Sequence, residues 1–409
     1  MRLGPRPLPL HLTVATTTLM SSRFALPALR NGSLPWSPAL AVEAAALRDA
    51  VEKNRAPDDV FAEAVGAASA RRLAAFLAGI SQYHTHVYRR RVVDPPAVWS
   101  AGGSRLLDYD ADAPGAAVDG PVILVVPSLV NRAYILDLAE KRSLMRHLAG
   151  AGMRPMLMDW GEPGPEDSGL TLDDYIAGRL AGALDHILAH TEEPVLLLGY
   201  CMGGLLALAL ALRRSRDIAG LALMATPWDF HADNPAQARA MAAIMEPQFA
   251  FYDGLGAMPV DVLQTLFVAL DPTLTLRKFC AFAALDPKSS QARSFVALED
   301  WVNDGVPLAA AVARECLIGW YGENRPARDA WMVAGDAIVA RELRMPTLHI
   351  IPEHDRIVPP ASARALAEAI PEAQSLTPKA GHIGMVVGSR AKKEVWAPLT
   401  DWLGTVGGG

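Results

Sequence analysis

A cysteine, an aspartate and a histidine stand along this chain in an order suited to nucleophilic acyl transfer. Cys201 lies in Gly199-Tyr200-Cys201-Met202-Gly203-Gly204, after the β-type run PVLLL and before the helix-forming LLALALALRR. A nucleophile on a tight strand-to-helix turn needs that context, with glycines where side chains would collide. Gly199 and Gly203 flank the cysteine at two residues on either side, and Gly204 admits close helix packing. A thiol is mostly protonated at neutral pH, so it needs a base, and the positive end of the following helix dipole assists. The acid and base are expected later in the chain, the histidine last. Asp355 ends TLHIIPEHD, and 27 residues on, KAGHIG offers His382 after a final strand, AQSLTPKA. Asp229, after GLALMATPW, stays open as an alternative acid, while Asp159 also ends a strand and His349 and His354 lack the loop position of His382. An oxyanion hole would take one N–H from Met202 and a second from Leu129 or Val130. Cys280 and Cys316 read as packing residues.

These residues need a parallel sheet to hold them. Five apolar runs, 121–129, 154–160, 194–200, 220–228 and 347–355, read as strands, and helical segments separate the first four. Apolar strands alternating with helices imply a parallel sheet covered on both faces. Such sheets bind ligands beyond the carboxyl ends of their strands, where Cys201 would point. Residues 1–100 carry helical spacing, as in AVEAAALRDAVEK and DDVFAEAVGAASARRLAAFLAGISQY, with Asp58 or Asp59 as a cap. Residues 101–230 and 346–405 would form the core, and 231–345 a mostly helical cap inserted into it. GTVGGG reads as a flexible tail.

The 409 residues are 51% hydrophobic and 20% charged, which excludes a disordered chain. A net charge of −6 excludes the basic footprint of a nucleic-acid binder. Three cysteines with no CxxC spacing point to neither a disulfide framework nor a zinc site, and the sequence carries no metal or nucleotide motif and calls for no cofactor. The longest charge-free run, Pro194 to Leu212, has the 19-residue length of a membrane span. The Gly199–Gly204 turn divides it, and such a turn would strand backbone groups in lipid. It therefore reads as a core strand and a core helix. The stretch after Arg2 and Arg6 loosely resembles a signal peptide, but His11 and three threonines interrupt it, so a docked or surface-lying helix is expected.

Several motifs together resemble the polyhydroxyalkanoate synthases: GYCMGG, the segment VPSLVNRAYILDLAEKRSLMRHLAGAGMRPMLMDWGEP, TLDDYI, and HDRIVPP followed by GHIGMVVGS. The resemblance covers most of residues 120–390. It implies an α/β class, namely an α/β-hydrolase fold with a mainly parallel sheet, a helical N-terminal extension and a mostly helical cap. It also implies transfer of (R)-3-hydroxyacyl groups from coenzyme A thioesters onto a growing polyester. On that likeness Cys201 carries the acyl group, His382 is its base, and Asp355 activates the incoming hydroxyl. LEDWVNDGVPL is similar to a family stretch that would put Trp301 and Asp304 near a channel or dimer contact. A homodimer or second subunit, and a cytoplasmic location on polyester granules, follow from the same likeness. The chain departs from the family at Arg356, where a histidine is usual, and its cap matches weakly. The alternative is a hydrolase, a depolymerase or a thioesterase running on the same three residues. A non-catalytic granule-binding or partner-binding role through the apolar N-terminal helices is a third reading.

Overall fold

The computed structural model describes residues 2–36, 40–54, 57–109, 120–191 and 193–408. They group into two compact units. One combines 1–89 with 264–303, and the other combines 90–263 with 304–409.

The larger unit is built on an eight-stranded sheet. Its strands are β1 (Ala97–Ala101), β2 (Ser104–Asp108), β3 (Val122–Val126), β4 (Arg154–Asp159), β5 (Val195–Tyr200), β6 (Ile218–Met224), β7 (Thr347–Ile350) and β8 (Gln374–Leu376). They lie in the order β1-β2-β4-β3-β5-β6-β7-β8. From β4 to β8 every pairing is parallel, whereas β2 pairs antiparallel with both β1 and β4. The central strands are buried along almost their whole length, VILVV in β3 and VLLLGY in β5, as a sheet covered on both faces requires. The five apolar runs thus became strands. The β1–β2 hairpin had no such signal, because β1 is an edge strand with three of its five residues exposed. Among the described residues, no helix is long and apolar enough to cross a membrane. The charge-free run is β5 followed by the buried helix Met202–Arg213.

The smaller unit is helical. Leu8–Ser21, Ala41–Asn54 and the long Asp58–Thr85 come from the N-terminal region. Leu274–Ala283 and Ser290–Asn303 come from the expected cap. All of these except Ala41–Asn54 share one core of Ala15, Leu19, Phe76, Tyr83, Leu276, Phe279, Phe282, Ala292 and Val296. Phe279 meets Phe76 edge to face with ring centres 6.2 Å apart, and Phe282 stacks on Phe295 at 4.2 Å. A side chain at Gly79 would place its Cβ 2.2 Å from the Phe279 carbonyl oxygen, so glycine is what lets these two helices touch. The expected cap is therefore divided: residues 264–303 belong with the N-terminal helices, and the rest of 231–345 belongs with the sheet. Other details also differ from the sequence reading. The long helix is capped by Pro57, with Asp58 and Asp59 in its first turn, and the chain's last helix, Ala397–Gly407, takes in most of the expected tail.

Leu8–Ser21 docks against this core through His11, Ala15 and Leu19. Arg2 anchors the segment before it. Its guanidinium is buried, pairs with Asp300 at 2.7 Å, donates to the His86 and Tyr88 carbonyls, and lies over the Tyr83 ring.

Candidate active site

Cys201 occupies the turn between β5 and the helix Met202–Arg213, with φ 57° and ψ −128°. A non-glycine residue rarely holds such a backbone, and the strain costs about 1–3 kcal/mol. The surroundings enforce it. The Cys201 N–H donates to the Met224 carbonyl at 2.8 Å, and its own carbonyl accepts from Gly204 at 3.0 Å. The three glycines are sterically required. A Cβ at Gly199 would fall 2.4 Å from Gly204 Cα, one at Gly203 2.1 Å from the Val126 carbonyl oxygen, and one at Gly204 1.9 Å from Thr226 Oγ1. The turn places Cys201 at the helix N-cap, partly accessible, where the helix dipole favours a thiolate.

His382 and Asp355 meet beside it. Asp355 follows β7, and its Oδ1 accepts the backbone N–H groups of Ile357 and Val358 at 2.8 and 2.9 Å. Its Oδ2 lies 2.7 Å from His382 Nδ1, with both side chains buried. Accepting from Nδ1–H leaves Nε2 as the imidazole's other nitrogen, and Cys201 is near enough to act on the ring electrostatically. Burial opposes a charge on His382. Cys201, together with the hydrogen bond and charge of Asp355, outweighs it and raises the imidazole to about 10. Ile351, Val358 and Ala363 form an apolar cluster against which Cys201 packs.

Asp229, the alternative acid, lies elsewhere in the unit: its Oδ1 accepts from His231 N and Asn324 Nδ2, both at 2.8 Å. Asp159 pairs with Arg105. His349 is buried within β7, where burial lowers it to about 4, and the His354 backbone is tied to Ala380. Burial pushes the Cys280 and Cys316 thiols up, which makes them poor nucleophiles.

Met202 begins the helix directly after Cys201, as the first oxyanion donor must. Val130 does not match its expected role, because its N–H donates to Ser128 Oγ at 3.1 Å. Leu129, its neighbour in the loop, is the other residue expected for the second donor. Trp301 is buried on the helix Ser290–Asn303 of the smaller unit. Asp304, in the larger unit, accepts the Tyr134 hydroxyl.

A model of the α/β hydrolase fold family matches residues 121–389. The chain is 32% identical over 306 residues to the poly(3-hydroxyalkanoate) polymerase subunit PhaC of Allochromatium vinosum, a match covering 73% of this chain and 85% of that protein. The corresponding subunit of Thiocystis violacea is 31% identical over 311 residues, covering 75% and 87%. This chain belongs to the polyhydroxyalkanoate synthase family. Its α/β-hydrolase fold is the one the sequence implied. The synthase subunit of Haloferax mediterranei is 30% identical over 310 residues. Matches to that protein and to its Haloarcula marismortui counterpart span 63% and 66% of their lengths.

Within the synthase-like site, sequence reasoning passed over Tyr200. Its hydroxyl donates to the His382 carbonyl at 3.2 Å, and its ring lies 5.2 Å from the imidazole. Tyr200 therefore holds the backbone of the histidine loop. The only sequence signal was its position next to the cysteine.

Proposed function

We propose that the chain is an acyltransferase of the synthase type, moving (R)-3-hydroxyacyl groups from coenzyme A thioesters through Cys201 to a polyester or oligomer chain. The observation that carries this reading is the buried, hydrogen-bonded pair His382 and Asp355 beside Cys201 on a strained elbow, in a chain of this family.

His382 takes the thiol proton at Nε2, and the Cys201 thiolate attacks the thioester carbonyl. The resulting oxyanion is met by the N–H of Met202 and a donor from the loop after β3. The carbonyl re-forms as the bond to coenzyme A sulfur breaks, and the imidazolium proton goes to the leaving thiol. Exchange of one thioester for another is nearly balanced, so the acyl-enzyme retains enough free energy to pass its group to a hydroxyl. In the second half His382 takes the proton of the acceptor hydroxyl, which attacks the Cys201 thioester, and the proton returns to the sulfur. Asp355 acts through the histidine in this scheme. Both of its oxygens are engaged, one by His382 and one by backbone amides, so it fixes the imidazole's tautomer and stabilises its positive form. This gives Asp355 a different role from the direct activation of the acceptor hydroxyl that the family likeness implied.

The polyester acceptor, granule association, a homodimer or partner subunit, and a cytoplasmic location belong to the same proposal and rest on family membership. The test is to incubate the purified protein with 3-hydroxybutyryl-CoA and measure released CoA together with polymer and free acid. Release matched by ester-linked product is expected. Release matched only by monomeric acid would assign the same residues to a hydrolase.

A further inference from the structure

The loop after β3, from which the acyl-enzyme reading takes its second oxyanion donor, is pinned at both ends. At its start, the Trp160 indole N–H donates to the Pro127 carbonyl at 2.9 Å. The bare Cα of Gly203 allows the elbow helix to pack directly on Val126 and Pro127. At its far end, the Tyr134 hydroxyl donates to Asp304 Oδ2 at 3.1 Å, and the Arg132 guanidinium lies 3.5 Å from Asp304 Oδ1. Asn131 and Gly305 add an antiparallel backbone bridge. Leu129 and Val130 lie between the two anchor points. Asp304 thus reaches the loop from a part of the chain about 170 residues away, and neither Cys201 nor His382 is among its partners.

We propose that Asp304 is a positioning residue for the oxyanion hole, setting where the Leu129 N–H stands relative to Cys201. The proposal rests on the acyl-enzyme reading above. Its physical basis is that the side chain is 45% exposed, so its ion pair adds little to folding, while a donor displaced by an ångström loses much of its effect on the transition state. Asp304 therefore governs the rate at which a carbonyl is attacked and not the nucleophilicity of the thiol.

Two reactions of Cys201 separate these effects. Acylation by 3-hydroxybutyryl-CoA develops an oxyanion, whereas alkylation by iodoacetamide is a displacement at carbon that develops none. In Asp304→Ala, rapid-quench acylation is expected to slow by about 10- to 100-fold, while the alkylation rate stays within about twofold of wild type. Asp304→Asn keeps an acceptor for Tyr134 and is expected to fall between the two. Unchanged acylation in Asp304→Ala would overturn the proposal. So would a parallel loss of acylation and alkylation, which would mean damage reaching the nucleophile. If the wild-type protein alkylates at Cys201 but is not acylated by the thioester, the acyl-enzyme reading itself fails, and the positioning role fails with it.

Discussion

His382 carries the pH dependence of the site. Its ordinary value of 6.5 is raised to about 10 against the opposing effect of burial, by Cys201 first and by Asp355. The folded protein therefore holds this proton more tightly than the unfolded chain. That stabilisation is fully present below about pH 6.5 and is lost as the pH rises through about 10. Cys201→Ala removes the sulfur and leaves the burial. The His382 titration, followed by NMR of its ring protons, is expected to move down in that variant, and a value equal to or above wild type would contradict the pairing of Cys201 with His382. Cys280→Ala is expected to retain full turnover, since that thiol lies in the smaller unit against the Arg72 carbonyl. The order of Cys201, Asp355 and His382 was legible because the first two follow apolar runs that read as buried strands, and the histidine follows a short last strand at the sheet edge. The part played by Asp304 was not, because the residues it holds, Arg132 and Tyr134, lie far away in the chain and nothing in LEDWVNDGVPL points to them.

Among the elements, the elbow is the least tolerant of change. Gly203→Ala forces a methyl group against the Val126 and Pro127 carbonyls, which are backbone atoms of β3 and of the loop that leaves it and cannot swing aside. A loss of about 2 kcal/mol or more in urea unfolding is expected. Gly150→Ala is the control: it ends the helix Leu144–Gly150, and a Cβ there meets nothing within 4 Å. That variant is expected to unfold at or slightly above the wild-type midpoint. The elbow could be read from sequence because its glycines are a steric necessity. The β1–β2 hairpin could not, because a half-exposed edge strand turning at Gly102-Gly103 has no apolar run to mark it.

The whole molecule is organised by two cores, and one of them is discontinuous in sequence. Helical periodicity shows which face of a helix is apolar but not which distant helix will cover it. Thus the joining of 264–303 to the N-terminal helices could not be read from spacing. Arg2 is the anchor of that arrangement. Arg2→Ala would remove one of two donors from the Asp300 carboxylate, which Tyr83 also serves, and from the His86 and Tyr88 carbonyls, which Arg89 also serves. A destabilisation of about 2–4 kcal/mol is expected, read as faster amide exchange in Asp58–Thr85 and Ser290–Asn303, with exchange in β3, β5 and β6 unchanged. Uniform acceleration across both units would contradict the assignment of Arg2 to the smaller one.

The central claim is that Cys201 carries the acyl group. The most direct measurement is to mix the protein with 3-hydroxybutyryl-CoA, quench in acid before turnover completes, and locate the adduct by peptide mass mapping. A 3-hydroxyacyl thioester on the peptide containing Cys201, absent from Cys201→Ala, is the expected result. Release of CoA with no adduct on Cys201, or with undiminished activity in Cys201→Ala, would contradict it.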